Sequence, residues 1–82
     1  MKCNKTILVT GANSGVGYCM CKFFASQGHS VIGVSKSINN LQKLDIPKFY
    51  YYKLDIRKKY DIIDVVNDII EKHKIDVLIN SA

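Results

Sequence analysis

The run Ile7-Leu8-Val9-Thr10-Gly11-Ala12-Asn13-Ser14-Gly15-Val16-Gly17 constrains the fold of this chain more than any other stretch. An apolar strand, a glycine-rich turn and the opening of a helix follow one another there without a spacer. The three glycines have separate steric uses. Gly11 lets the chain leave the strand through a tight turn, Gly15 lets the backbone come close to a pyrophosphate, and Gly17 lets the helix pack closely on the sheet. Free amides at the helix N-terminus, at the positive end of its dipole, suit a phosphate. Residues Gly11, Ala12, Asn13, Ser14, Gly15, Val16 and Gly17 therefore form the candidate cradle of a dinucleotide.

Spacing separates this loop from its rivals. An NTPase phosphate loop needs Gly-x-x-x-x-Gly-Lys-Ser/Thr, whereas here Val16 and Gly17 follow Gly15 and no lysine comes before Lys22. The common Gly-x-Gly-x-x-Gly fingerprint fails too, because the first gap is three residues wide. Thr-Gly-x-x-x-Gly-x-Gly fits, at Thr10, Gly11, Gly15 and Gly17.

Further along, strand and helix periods alternate. Thr6 to Thr10 reads as a strand. Gly15 to Gln27 reads as a helix with Val16, Met20, Phe23 and Phe24 on one broad face and Gly28 at its end. Val31 to Ser35 is a second strand, and Ser37 to Leu44 a short helix capped by Ser37 and stopped before Pro47. Phe49 to Leu54, rich in aromatics, is a third strand. The next helix carries Ile62, Val65, Val66 and Ile69 at i, i+3, i+4 and i+7, widened by Ile63 and Ile70. Its other face, with Asp61, Asp64, Asp68, Glu71 and Lys72, is a solvated surface rather than a set of catalytic carboxylates. Asp68 and Lys72 are spaced for an i, i+4 pair. Ile75 to Asn80 is a fourth strand. Such alternation predicts an α/β fold, a Rossmann-like three-layer α/β/α arrangement with a partial parallel sheet in the order 3-2-1-4. The order reverses between the first and fourth strands, so a ligand belongs at their carboxyl ends.

With 82 residues, residues 1–82 amount to at most one domain, and a domain of this size buries only about 60% of its unfolded surface. No apolar run approaches the ~18–20 residues of a membrane span, and no signal peptide opens the chain. The net charge of +5 raises the question of nucleic acid. However, the basic residues are scattered apart from Arg57-Lys58-Lys59, and no nucleic-acid-binding signature accompanies them. Three cysteines, Cys3, Cys19 and Cys21, lack a disulfide or metal framework and read as packing residues in a reducing compartment. A cytoplasmic protein without metal, nucleic acid or membrane is the expectation.

These residues resemble the N-terminal half of the short-chain dehydrogenase/reductase family, over Thr6 to Ala82. Three motifs carry the likeness in order: Thr10 to Gly17; Leu54-Asp55-Ile56; and Asp76-Val77-Leu78-Ile79-Asn80-Ser81-Ala82, similar to the family's Asp-x-Leu-x-Asn-Asn-Ala-Gly. The resemblance implies that Asp55 accepts the adenine amine and that the Ile56 amide reaches the ring. Asn80 and Ala82 would border the ribose cleft. For Asp55 the alternative is a cap on the following helix; for Asn80 it is a sheet-bracing bond that coexists with cofactor contact. At the end of the second strand, where an acidic residue would select NAD(H), this chain has Ser35 and Lys36. That favours NADP(H), with NAD(H) second and an exposed, unengaged Lys36 as the alternative. Ser81 in place of the motif's second Asn is expected to weaken local bracing.

The family's catalytic Ser and Tyr-x-x-x-Lys have no counterpart here, since the one match, Tyr18 to Lys22, lies in the first helix beside the glycine loop. No catalytic residue is assigned. Three readings stay open: the NADP(H)-binding N-terminal portion of a short-chain oxidoreductase; a small nucleotide-binding or interaction module that completes its sheet with a partner; and a remnant without function. The apolar fourth strand, as a sheet edge, invites self-association.

Overall fold

A computed structural model describes residues 4–55 and 57–81. Four parallel strands, β1 (Thr6–Thr10), β2 (Ser30–Ser35), β3 (Phe49–Lys53) and β4 (Val77–Asn80), lie in the order β3-β2-β1-β4. Helix α1 (Gly15–Ser26) crosses from β1 to β2 and α2 (Lys59–Lys72) from β3 to β4. The predicted three-layer arrangement and strand order are both present. β2 is buried along four successive residues, as expected of a parallel strand covered on both faces. Its register sets Val34 beside Thr10 and Tyr52, while β1 sets Thr10 beside Asn80. The carboxyl ends of all four strands thus face one side. Asp76 ties the opposite ends of β1 and β4, its carboxylate accepting the Thr6 amide at 2.9 Å.

Two clusters form the core, one on each face of the sheet. Ile7, Val9 and Val31 meet Cys21 and Ala25 of α1, whereas Ile32, Val34 and Leu54 meet Ile69 of α2. Of the face that its large residues predicted, Phe24 packs against the core, but α1 is otherwise turned away from it. Gly17, Cys21 and Ala25, spaced by four, are buried, while Val16 is 65% and Phe23 58% exposed. The cause is steric. A Cβ on Gly17 would overlap the Gly11 carbonyl oxygen, so the helix sits close to the loop and its phase is set there. Small residues then fill the narrow gap. The helix ends as predicted at Gly28, with φ of 90°. The Gly28 amide donates to the Ala25 carbonyl and the His29 amide to the Phe24 carbonyl, a Schellman closure.

The predicted helix over Ser37 to Leu44 is reduced to one 3-10 turn, Leu41–Lys43. Its Asn40 and Leu41 amides are drawn to the Asn13 side chain instead of to a local Ser37 cap. On α2 the predicted stripe holds for Ile62, Val65 and Ile69, which face the sheet. Ile63 and Ile70 do not widen it and are exposed, as is Val66. Asp68 and Lys72 make the expected ion pair at 3.2 Å. Cys21 is buried, but Cys19 is exposed and is not a packing residue; Cys3 lies outside the described residues. Among the described residues no helix is long and apolar enough to cross a membrane, and no cluster of His, Cys, Asp or Glu could hold a metal.

Candidate cofactor site

The site collects at the carboxyl ends of the strands, where β1 gives way to α1. Gly11 and Gly15 both adopt φ of 60°, a left-handed conformation that side chains disfavour. A Cβ on Gly15 would meet nothing within 4 Å, so space lies open before the backbone there. Ser14, in extended conformation, is the N-cap, and its hydroxyl caps no amide of the helix. The first helical bond runs from the Tyr18 amide to the Ser14 carbonyl at 3.3 Å. Amides of the first turn therefore remain for an anion. Ala12 is buried, with its amide donating to the Val34 carbonyl at 3.2 Å. Val16 points outward.

A brace closes the other wall. The Thr10 hydroxyl donates to Asn80 Oδ1 at 2.8 Å and accepts the Ser81 amide at 3.2 Å. The Ser81 hydroxyl donates to the Thr10 carbonyl. Asn80 thus fastens the ends of β1 and β4, as its alternative reading foresaw. Ser81 contributes two bonds to the brace, one from its amide and one from its hydroxyl. Its short side chain also fits beside Gly17, where Ser81 Oγ would lie 2.5 Å from an added Cβ.

Between the ends of β1, β2 and β3 lies a cavity of about 350 Å³, lined by Thr10, Gly11, Val34, Ser35, Lys36, Leu54, Asp55 and Arg57. The fold therefore brings Gly11, Ser35, Lys36 and Asp55 together from three separate segments. Sequence reasoning missed Arg57. Its guanidinium spans the Asp55 carboxylate, with Nε 3.1 Å from Oδ1 and Nη2 2.9 Å from Oδ2. The Arg57 amide also donates to Oδ1 at 3.0 Å. These bonds hold the Asp55 carboxyl well below the usual carboxylate range, with Lys36 adding a smaller push in the same direction. The signal lay in the Asp-x-Arg spacing, which fits an Asx turn with a cation two residues on. Asp55 does not cap α2, whose N-cap is Lys58. Ile56 and Ala82 lie outside the described residues. Tyr18 and Lys22 stack, with the ammonium 5.6 Å from the ring centroid, a helix-surface contact apart from this cavity.

A parallel sheet whose order reverses at a glycine loop, with a polar-ended cleft over its carboxyl ends, defines a dinucleotide-binding α/β class of protein. The model of the short chain dehydrogenase family matches residues 5–82. The chain belongs to that family. It is 35% identical over 80 residues to the NADP-dependent 3-hydroxy acid dehydrogenase YdfG of Escherichia coli strain K12, covering 93% of this chain and 32% of that protein. It is 36% identical over 85 residues to the 3-oxoacyl-[acyl-carrier-protein] reductase FabG of Thermotoga maritima, covering 95% and 35%. Among solved structures, 4-hydroxyisoleucine dehydrogenase complexed with NADH superposes with a TM-score of 0.86 at 32% identity, over 96% of this chain and 34% of that one. The chain spans about a third of the length of these relatives.

Proposed function

We propose that residues 1–82 are the N-terminal part of a single NAD(P)-binding domain, and that they hold the adenosine and pyrophosphate of NADP(H) for a short-chain oxidoreductase. One observation carries this reading: the cavity that joins Gly11, Ser35, Lys36 and Asp55. Gly15 and the free first-turn amides of α1 would take the pyrophosphate, and Asp55 the adenine amine. Ile56, Asn80 and Ala82 would complete the adenine and ribose contacts. A carboxylate at the end of β2 would repel a 2′-phosphate, whereas Ser35 is neutral and Lys36 offers a cation. The NADP dependence of YdfG supports the same choice, while the NADH complex of 4-hydroxyisoleucine dehydrogenase keeps NAD(H) as the competitor. The bound cofactor would supply the hydride; this chain's own residues bind and orient it.

Calorimetric titration of the chain with each dinucleotide tests the proposal, alongside Lys36→Asp. NADP(H) should bind more tightly than NAD(H), and the substitution should lower that ratio by about tenfold or more, the size of one lost charge-assisted contact. An unchanged ratio removes Lys36 from the site, and no binding of either at millimolar concentration removes the function.

A further inference from the structure

Among the described residues, Asn13 is the buried polar residue of the core, 9% exposed although it lies in the middle of the glycine loop. Its side chain faces protein. Oδ1 accepts the backbone amides of Asn40 at 2.9 Å and Leu41 at 3.2 Å. Nδ2 donates to Asn39 Oδ1 at 2.7 Å, and the Asn13 main-chain carbonyl accepts Asn40 Nδ2 at 2.8 Å. Two amide donors on one oxygen set the orientation of the Asn13 amide and fill that oxygen's acceptor capacity. Four bonds thus join one loop residue to three consecutive residues far along the chain.

Those three residues lie early in the connection to β3 that leaves β2 through Ser35 and Lys36. Leu41, the last of the three, is fully buried, and its methyl carbons would lie 3.4 Å from a Cβ on Gly33. The first part of the connection is therefore held on both sides of Lys36, by the β2 ladder at Ser35 and by Asn13 at Asn39 to Leu41.

We infer that Asn13 is a positioning residue, a latch that locks the β2–β3 connection to the pyrophosphate loop and so sets where Lys36 stands relative to the phosphates. It acts on cofactor choice through the connection and without touching the cofactor by its side chain. The inference rests on the proposed role of Lys36. A contact residue and a latch predict different losses. NADP(H) and NAD(H) share the pyrophosphate, so losing a contact there weakens both equally. Losing the latch releases the segment that reads the 2′-phosphate and weakens NADP(H) selectively.

The test uses the 82-residue chain and its variants Asn13→Ala, Asn13→Asp and Asn39→Ala. Dinucleotide titrations are paired with amide hydrogen exchange at Asn40 and Leu41 without ligand. In Asn13→Ala, exchange at both amides should rise about tenfold or more, and the NADP(H)-to-NAD(H) affinity ratio should fall by about tenfold. Asn13→Asp keeps the acceptor for both amides and, with the Asn39 amide turned to donate, should retain the ratio. Asn39→Ala removes a single bond and should shift both readouts the same way by a smaller factor, which keeps the inference testable if Asn13→Ala fails to fold. Equal weakening of both dinucleotides, or unchanged exchange at Asn40 and Leu41, overturns it. Should the parent chain fail to distinguish the dinucleotides, the role of Lys36 falls, and exchange alone then decides the latch: faster exchange supports it and flat exchange overturns it.

Discussion

At the scale of single residues, the glycine loop is governed by steric demands that are local and therefore readable in order along the chain. Gly11 turns, Gly15 leaves space open and Gly17 admits the Gly11 carbonyl, each as its place in the motif requires. Gly17→Ala should cost about 1–3 kcal/mol, because the added methyl meets backbone that cannot move aside; urea denaturation measures it. Arg57 shows the reverse case. The local Asp-x-Arg spacing permits the pair without requiring it, and folding places the guanidinium on the carboxylate. Because Arg57 favours the ionised form, Asp55 stays charged as pH falls through the usual carboxylate range and gains its proton only below it. In Arg57→Ala the carboxyl should titrate at higher pH, back toward that range, as followed by carbon-detected NMR of its side chain. An unmoved titration would deny the pairing.

At the scale of elements, strand spans came within two residues of their predicted limits, since runs such as Ile7-Leu8-Val9 and Val31-Ile32 suit no other parallel-sheet position. Helix α1 was legible as a helix but not in its phase. Periodicity weighted the large apolar residues, whereas the contact made at Gly17 turned Cys21 and Ala25 inward. Phe23→Ser should therefore change stability by less than about 0.5 kcal/mol, in the manner of surface positions. Ala25→Leu, overfilling the helix–sheet gap, should cost about 1–3 kcal/mol. Thermal melts of the two variants distinguish this face from the one the sequence suggested. The connection after β2 was misread for a related reason: an α-helix needs its first amides capped locally, and here Asn13 takes two of them.

At the scale of the whole molecule, β4 lies at the edge of the sheet beyond β1 among the described residues, with Leu78 62% exposed on the face it shares with Leu8. Val16 and Phe23 of α1 are also exposed apolar residues. We propose that, in the 82-residue chain by itself, this edge pairs with another chain, as an apolar strand without a neighbour tends to do. Leu78→Lys should leave the fold in place and lower the sedimentation-averaged mass of the 82-residue chain at high concentration. A parent chain that is monomeric throughout would remove the proposal.

The sequence alone determined the alternation of strand and helix, the parallel sheet with its 3-2-1-4 order and the glycine-loop end of the sheet where the cavity lies. All three follow from short-range periodicity, right-handed crossovers and the conformational needs of a few glycines. Only tertiary structure decided which face of α1 is buried, that Asn13 binds the connection after β2 and that Ser81 joins the Thr10–Asn80 brace. Those outcomes depend on distances between residues far apart in the chain, and periodicity carries no information about such distances.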